Sequence, residues 1–138
     1  MSIWTHVAGC IRIDDLTCFA TMKHVKTDIS KAFIRDTWHN RNENGNMPRG
    51  SEGSLDVEII DRNEDGSEYM RVVTIWGDLR DYNKESCEKI KKWWYDIPQK
   101  LGKTCEIRNA VLQVQSEDGA DFILTEKDMN VFKEEDNE

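Results

Sequence analysis

Two short segments of this chain combine residue types able to hold a ligand. The first is Pro48-Arg49-Gly50-Ser51-Glu52-Gly53-Ser54. Glycines flanking small polar residues let backbone N–H groups converge on an anion such as phosphate, and Arg49 could add a charge-assisted bond. Arg49, Gly50, Ser51, Glu52 and Gly53 are therefore candidate ligand-binding residues. The segment is neither a G-x-x-x-x-G-K-[ST] loop nor a G-x-G-x-x-G fingerprint, and a strand follows it where those motifs need a helix N-terminus. A flexible loop whose glycines allow a tight turn into that strand is the competing reading. The second segment is Trp76-Gly77-Asp78-Leu79-Arg80-Asp81, at the end of one expected strand and just before a helix. Strand ends are where sheet proteins present ligand-facing residues. Asp78 and Arg80 could bind a polar ligand there, or hold each other as an ion pair in a structural turn.

Three further sets carry chemical potential. Trp4, His6, Arg12 and Arg71 are expected on the two central strands; on an open sheet face they could stack a base, or Trp4 and Arg71 could meet another subunit. Trp93 follows a helical stripe containing Trp94 but is displaced from it by about 100°. It is thus a candidate interface residue, or a cover for a sheet edge. Asp78 and Asp81 could hold a divalent ion if Asp14 and Asp15 completed the cluster, because hard cations need grouped carboxylates. No Ser or Cys sits in a nucleophile elbow, and His6, His24 and His39 stand in unrelated contexts. These residues assemble no catalytic set, so a binding protein is expected and an enzyme is not favoured.

The elements that must position these residues follow from periodicity. Val7, Ile11 and Ile13 alternate on one face of a first strand. Phe19, Met22, Val25, Ile29 and Phe33 recur at helical spacing over residues 18–36. A Gly- and Asn-rich stretch over residues 39–54 breaks regular structure. Leu55, Val57 and Ile59 then alternate, Asp65-Gly66 marks a hairpin turn, and a strand returns from Tyr69 to Trp76. Asn83 is a suitable cap for a second helix with a buried stripe at Cys87, Ile90, Trp94, Ile97 and Leu101. Pro98 is expected to kink or shorten that helix near Asp96. A last strand alternates through Ile107, Ala110, Leu112 and Val114, and residues 121–124 could add an edge strand. Strand, helix, hairpin, helix and strand in this order predict an α+β fold. Specifically, they predict a ferredoxin-like split β-α-β-β-α-β sandwich, its antiparallel sheet carrying both helices on one face.

The chain of 138 residues has a net charge of −8 and 38% hydrophobic residues, enough for one core and one domain. That domain is placed at residues 1–128. From Glu117 onward nine carboxylates face two lysines, and residues 129–138 read as an acidic, flexible tail. The chain has no positive footprint for a phosphate backbone, so nucleic acid is a disfavoured partner. No apolar run approaches the ~18–20 residues of a membrane span, and the opening residues lack a signal-peptide pattern. The cysteines at 10, 18, 87 and 105 form no metal-ligand spacing, so no metal or cofactor is expected and a reducing cytoplasm is.

In order along the chain, Trp4-Thr5-His6-Val7, Arg49-Gly50-Ser51-Glu52-Gly53 and Gly77-Asp78-Leu79-Arg80-Asp81 resemble a group of small, functionally unassigned proteins of tailed bacteriophages. The resemblance spans roughly residues 4–115. It implies an accessory phage protein working in the cytoplasm of an infected bacterium, and supplies no catalytic residue. By analogy with other small acidic phage proteins, it suggests an inhibitor of host defence. The leading expectation is a non-enzymatic binding protein that captures a host protein or a small anionic ligand, with a homodimer through the open sheet face as a further partner. The alternatives are a divalent-metal hydrolase or nucleotidyl enzyme using Asp78 and Asp81, and nucleic-acid binding on the open sheet.

Overall fold

The computed structural model describes residues 2–15, 29–33, 47–61 and 70–131. Among the described residues, five strands form one sheet: β1 (Trp4–Asp15), β2 (Leu55–Asp61), β3 (Met70–Arg80), β4 (Cys105–Ser116) and β5 (Asp121–Thr125). Their order is β2-β3-β1-β4-β5, and every neighbouring pair is antiparallel. Among the described residues, one α-helix, α1 (Cys87–Leu101), links β3 to β4. Short 3-10 turns occupy Ile29–Ala32 and Glu126–Asp128.

This overturns the two-helix split β-α-β-β-α-β sandwich. The sheet claims more of the chain than periodicity over short windows suggests: β1 and β4 each run for 12 residues, and β5 extends the ladder beyond β4. Most of the helix expected over residues 18–36 lies outside the described residues, as does the Asp65-Gly66 turn. The part that is described, Ile29–Ala32, tightens into a 3-10 turn, with Phe33 N–H donating to Ser30 O at 3.1 Å.

The alternation that predicts the strands also divides the sheet into two faces. Val7, Ile11, Ile13, Leu55, Val73, Ile75, Leu79, Leu112 and Val114 are buried on one of them. The same core contains Cys87, Ile90, Trp94, Ile97 and Leu101 of α1, the stripe its spacing predicts. Trp94 is wholly buried and its Nε1–H donates to Thr125 O at 2.9 Å, tying the helix to β5. Asn83 caps the turn before α1, its Oδ1 accepting from Ser86 N–H at 2.9 Å.

Pro98 does not shorten α1, which continues to Leu101 and stops at Gly102 with φ 88°. Proline at this position removes only one backbone bond of the last turn, and its ring is buried along with Ile97 and Leu101. The chain stays docked after β5. Met129 is buried, and Asn130 N–H donates to Tyr95 O at 2.9 Å. Residues 132–138 lie outside the described part.

Among the described residues, no helix is long and apolar enough to cross a membrane.

Candidate functional site

The second face of the sheet is open. On β1, His6, Ala8, Cys10 and Arg12 alternate with the buried residues and are exposed. Register places Ala8 between Trp76 of β3 and Gln113 of β4, and His6 between Asp78 and Gln115. Alanine is the smallest side chain in its row, so a hollow of about 300 Å³ forms above it, walled by His6, Trp76, Asp78, Gln113 and Gln115. That volume lies at the small end of ligand sites. It accommodates one ring or one large side chain.

The wall groups are arranged. His6 Nδ1 lies 2.6 Å from Asp78 Oδ1, the imidazole donating to the carboxylate. Trp76 presents its indole to solvent at 45% exposure. Within the described residues, Asp78 Oδ2, His6 Nε2 and the side-chain amides of Gln113 and Gln115 make no bond to the protein. The unbonded His6 nitrogen is an acceptor whenever the ring is neutral.

The loop at residues 49–53 is organised in the opposite sense. Ser51 N–H donates to Arg80 O at 2.9 Å, Arg80 N–H to Glu52 O at 3.0 Å, and Gly50 N–H to Gly53 O at 3.3 Å. These bonds prolong the edge of β3 beyond its pairing with β2. Ser51 Oγ donates to Asp81 Oδ2 at 2.6 Å, while Arg80 bridges Glu52 at 2.6 Å and Ser2 Oγ at 2.9 Å. The expected anion cradle therefore spends the N–H groups of Gly50 and Ser51, and the guanidinium of Arg80, on the protein itself. Both glycines are demanded by contact: a Cβ at Gly50 would strike Arg80 O, and one at Gly53, where φ is +79°, would strike Asp78 O. Arg49 closes the loop through a bridge to Ser54.

Other expected site residues fall elsewhere. Arg71 is not on the open face; it shares the parity of Val73 and Ile75, is 5% exposed, and lies 3.5 Å from the buried Asp15. Trp93 is not an exposed anchor, being 4% exposed beside Trp94 with ring centroids 6.2 Å apart. Trp4 is half-buried, and its backbone exchanges bonds with Glu117: its N–H donates to Oε1 at 2.8 Å and its carbonyl accepts from Glu117 N–H at 2.9 Å.

The four carboxylates suggested for a divalent ion do not converge. Asp14 pairs with Met70, and Asp78 with His6, at opposite ends of the same ladder. Eight residues of strand separate them, roughly 26 Å at ~3.3 Å per residue, far outside a shared coordination shell. Asp14 instead meets Arg108 at 3.3 Å. Among the described residues, no three His, Cys, Asp or Glu side chains group as metal ligands.

The hollow thus unites His6 and Asp78, which the sequence places in separate candidate sets, with Trp76, which it includes in the second segment without a role, and with Gln113 and Gln115, which it does not single out. The available signal is parity: Trp76 and Asp78 alternate with Ile75 and Leu79, and Gln113 and Gln115 with Leu112 and Val114.

Two groups beneath this end are shifted by burial. It pushes the Cys87 thiol up, partly offset by a hydrogen bond from Thr5. It also pushes the Tyr82 phenol far up, with the nearby Cys87 adding to the effect.

Comparison with protein-family models, curated proteins and solved structures returned no match.

Proposed function

We propose that this chain is a non-enzymatic binding protein of the tailed-bacteriophage accessory type, capturing a host protein on the open face of its sheet. The observation that carries the proposal is the hollow around Ala8, where an exposed indole, a His6–Asp78 pair bonded to each other and two glutamine amides face solvent. A half-exposed tryptophan within a ring of polar groups has the composition of an interface anchor. Exposed Ile60, Val111 and Ile123 extend the apolar part of the same face. The three segments that carry the phage resemblance also meet at this end: Trp4 pairs with Arg80, His6 pairs with Asp78, and Gly53 abuts Asp78. In that setting the captured protein acts in the bacterial cytoplasm, with a component of host defence as the expected target.

Stacking of a nucleic-acid base is the second reading, because Trp76 joins Trp4, His6 and Arg12 on this face. Asp56, Glu58, Asp78 and Asp121 share the face and oppose a phosphate backbone.

The test is a comparison of baits in bacterial lysate. Wild-type protein retains a partner that Trp76→Ala and Ile123→Asp lose, while Lys92→Glu on the helix side retains it, all four baits giving the same far-ultraviolet circular dichroism. Identical recoveries from all four baits would remove the open face from consideration.

A further inference from the structure

We infer that the hollow on the open face is a receptor for a guanidinium group, so that the captured partner anchors itself with an arginine side chain. The inference rests on the open-face reading and specifies its chemistry. Its first support is the sign of the unspent polar atoms. The His6 Nδ1–H points at Asp78 Oδ1, which turns the rest of the pair outward as acceptors: Asp78 Oδ2 and, in the neutral ring, His6 Nε2. The Gln113 and Gln115 amides stand across β1 from them and can each turn a carbonyl oxygen toward the hollow. Among the described residues, no lysine or arginine lines the hollow. An anion would meet the Asp78 carboxylate, whereas a group made only of donors would find several acceptors.

The second support is shape. The indole of Trp76 is one wall of a shallow space over Ala8. A flat cation stacks on such a ring and keeps its edge donors free for the acceptors around it. Guanidinium is planar, carries five N–H donors in one plane and is weakly hydrated; an ammonium group is compact, strongly hydrated and cannot stack. A neutral aromatic side chain would fill the space but leave the Asp78 charge uncompensated under it, which is costly. The third support is charge complementarity at long range. The chain carries −8 overall, and Asp56 beside Trp76 and Asp121 beside Gln115 continue the acidic surface outward from the hollow. That field draws a basic partner toward the face and raises its association rate.

The experiment titrates the full chain with hexa-arginine, hexa-lysine and hexa-citrulline peptides, following calorimetry and the indole N–H resonances. Hexa-arginine is expected to saturate, to shift the Trp76 resonance, and to bind at least about threefold tighter than hexa-lysine. Hexa-citrulline, of equal shape and no charge, should not bind measurably. Asp78→Asn keeps an acceptor for His6 and removes only the charge. It and Trp76→Ala should each weaken hexa-arginine by about tenfold. Glu106→Gln, the same change in net charge at the opposite end of the sheet, should alter it less than twofold. Equal affinities for the arginine and lysine peptides, or equal losses for Asp78→Asn and Glu106→Gln, would mean nonspecific attraction and overturn the inference. The lysate comparison separates this failure from that of the reading beneath it: if Trp76→Ala loses the partner and Asp78→Asn does not, the face stands and the guanidinium receptor falls.

Discussion

The loop at residues 49–53 and the hollow around Ala8 sit on adjacent parts of one sheet, and both are built from small and polar residues. They differ in where their polar groups are directed. In the loop, Ser51, Glu52, Arg80 and Asp81 satisfy one another, and the glycines exist to let backbone meet backbone. In the hollow, one internal bond, His6 to Asp78, orients a carboxylate whose second oxygen faces outward. A polar segment that uses all its donors internally is scaffold. One that uses a single bond to aim the others is prepared for a partner.

That contrast can be attacked by mutation. The largest effect belongs to the most fully internal polar pair, Arg71 with Asp15. Arg71→Ala should cost about 3–5 kcal/mol in urea unfolding, since it breaks a buried ion pair; a loss under about 1 kcal/mol would show that burial of polar groups here is not structural. Next comes the loop. Gly50→Val should cost about 2–3 kcal/mol by forcing Arg80 O away from its Cβ, with peptide binding falling only as the fold is lost. The hollow should behave in reverse: Gln113→Ala and Trp76→Ala are expected to leave unfolding free energy within about 0.5 kcal/mol of wild type, the latter while abolishing capture. If either destabilises by more than about 2 kcal/mol, the hollow is scaffold too. The smallest perturbation is chemical. At pH 8 iodoacetamide should modify the exposed Cys10 on the order of a hundredfold faster than the buried Cys87, whose thiol is pushed up by burial and so stays protonated. A bound partner should then protect Cys10, as mass spectrometry of the peptides can report.

How much of this was legible without coordinates depends on the range of the interactions involved. The strand through Val7, Ile11 and Ile13 and the stripe from Cys87 to Leu101 follow from local periodicity and are seen. Arg71 was also legible, because it shares the parity of Val73 and Ile75; the open-face expectation runs against that parity, and the compensating Asp15 lies on the neighbouring strand β1. Trp93 was not legible. The Ile29–Ala32 and Glu126–Asp128 turns both pack on α1, so the helix buries a wider arc than one stripe. Of the candidate site, the residues His6 and Asp78 could be named but not joined, since their contact spans 72 positions of sequence and depends on the pairing register. The fold class was misjudged for a related reason. Spacing reports amphipathic segments, while the length of ladder a segment joins is decided by its distant neighbours.

The position of β1 bears on how the molecule comes into being. Both of its neighbours, β3 and β4, lie far downstream, with Thr5 finally pairing to Ser116. While the ribosome is still making residues 105–116, the first strand has at most one edge satisfied. Such long-range closure is slow relative to helix-rich chains, and an emerging segment with an unpaired edge is exposed to misassociation. Closure of the sheet therefore waits for residues 105–116, and the interval before they emerge is where temperature, crowding or a chaperone decides the yield of native protein.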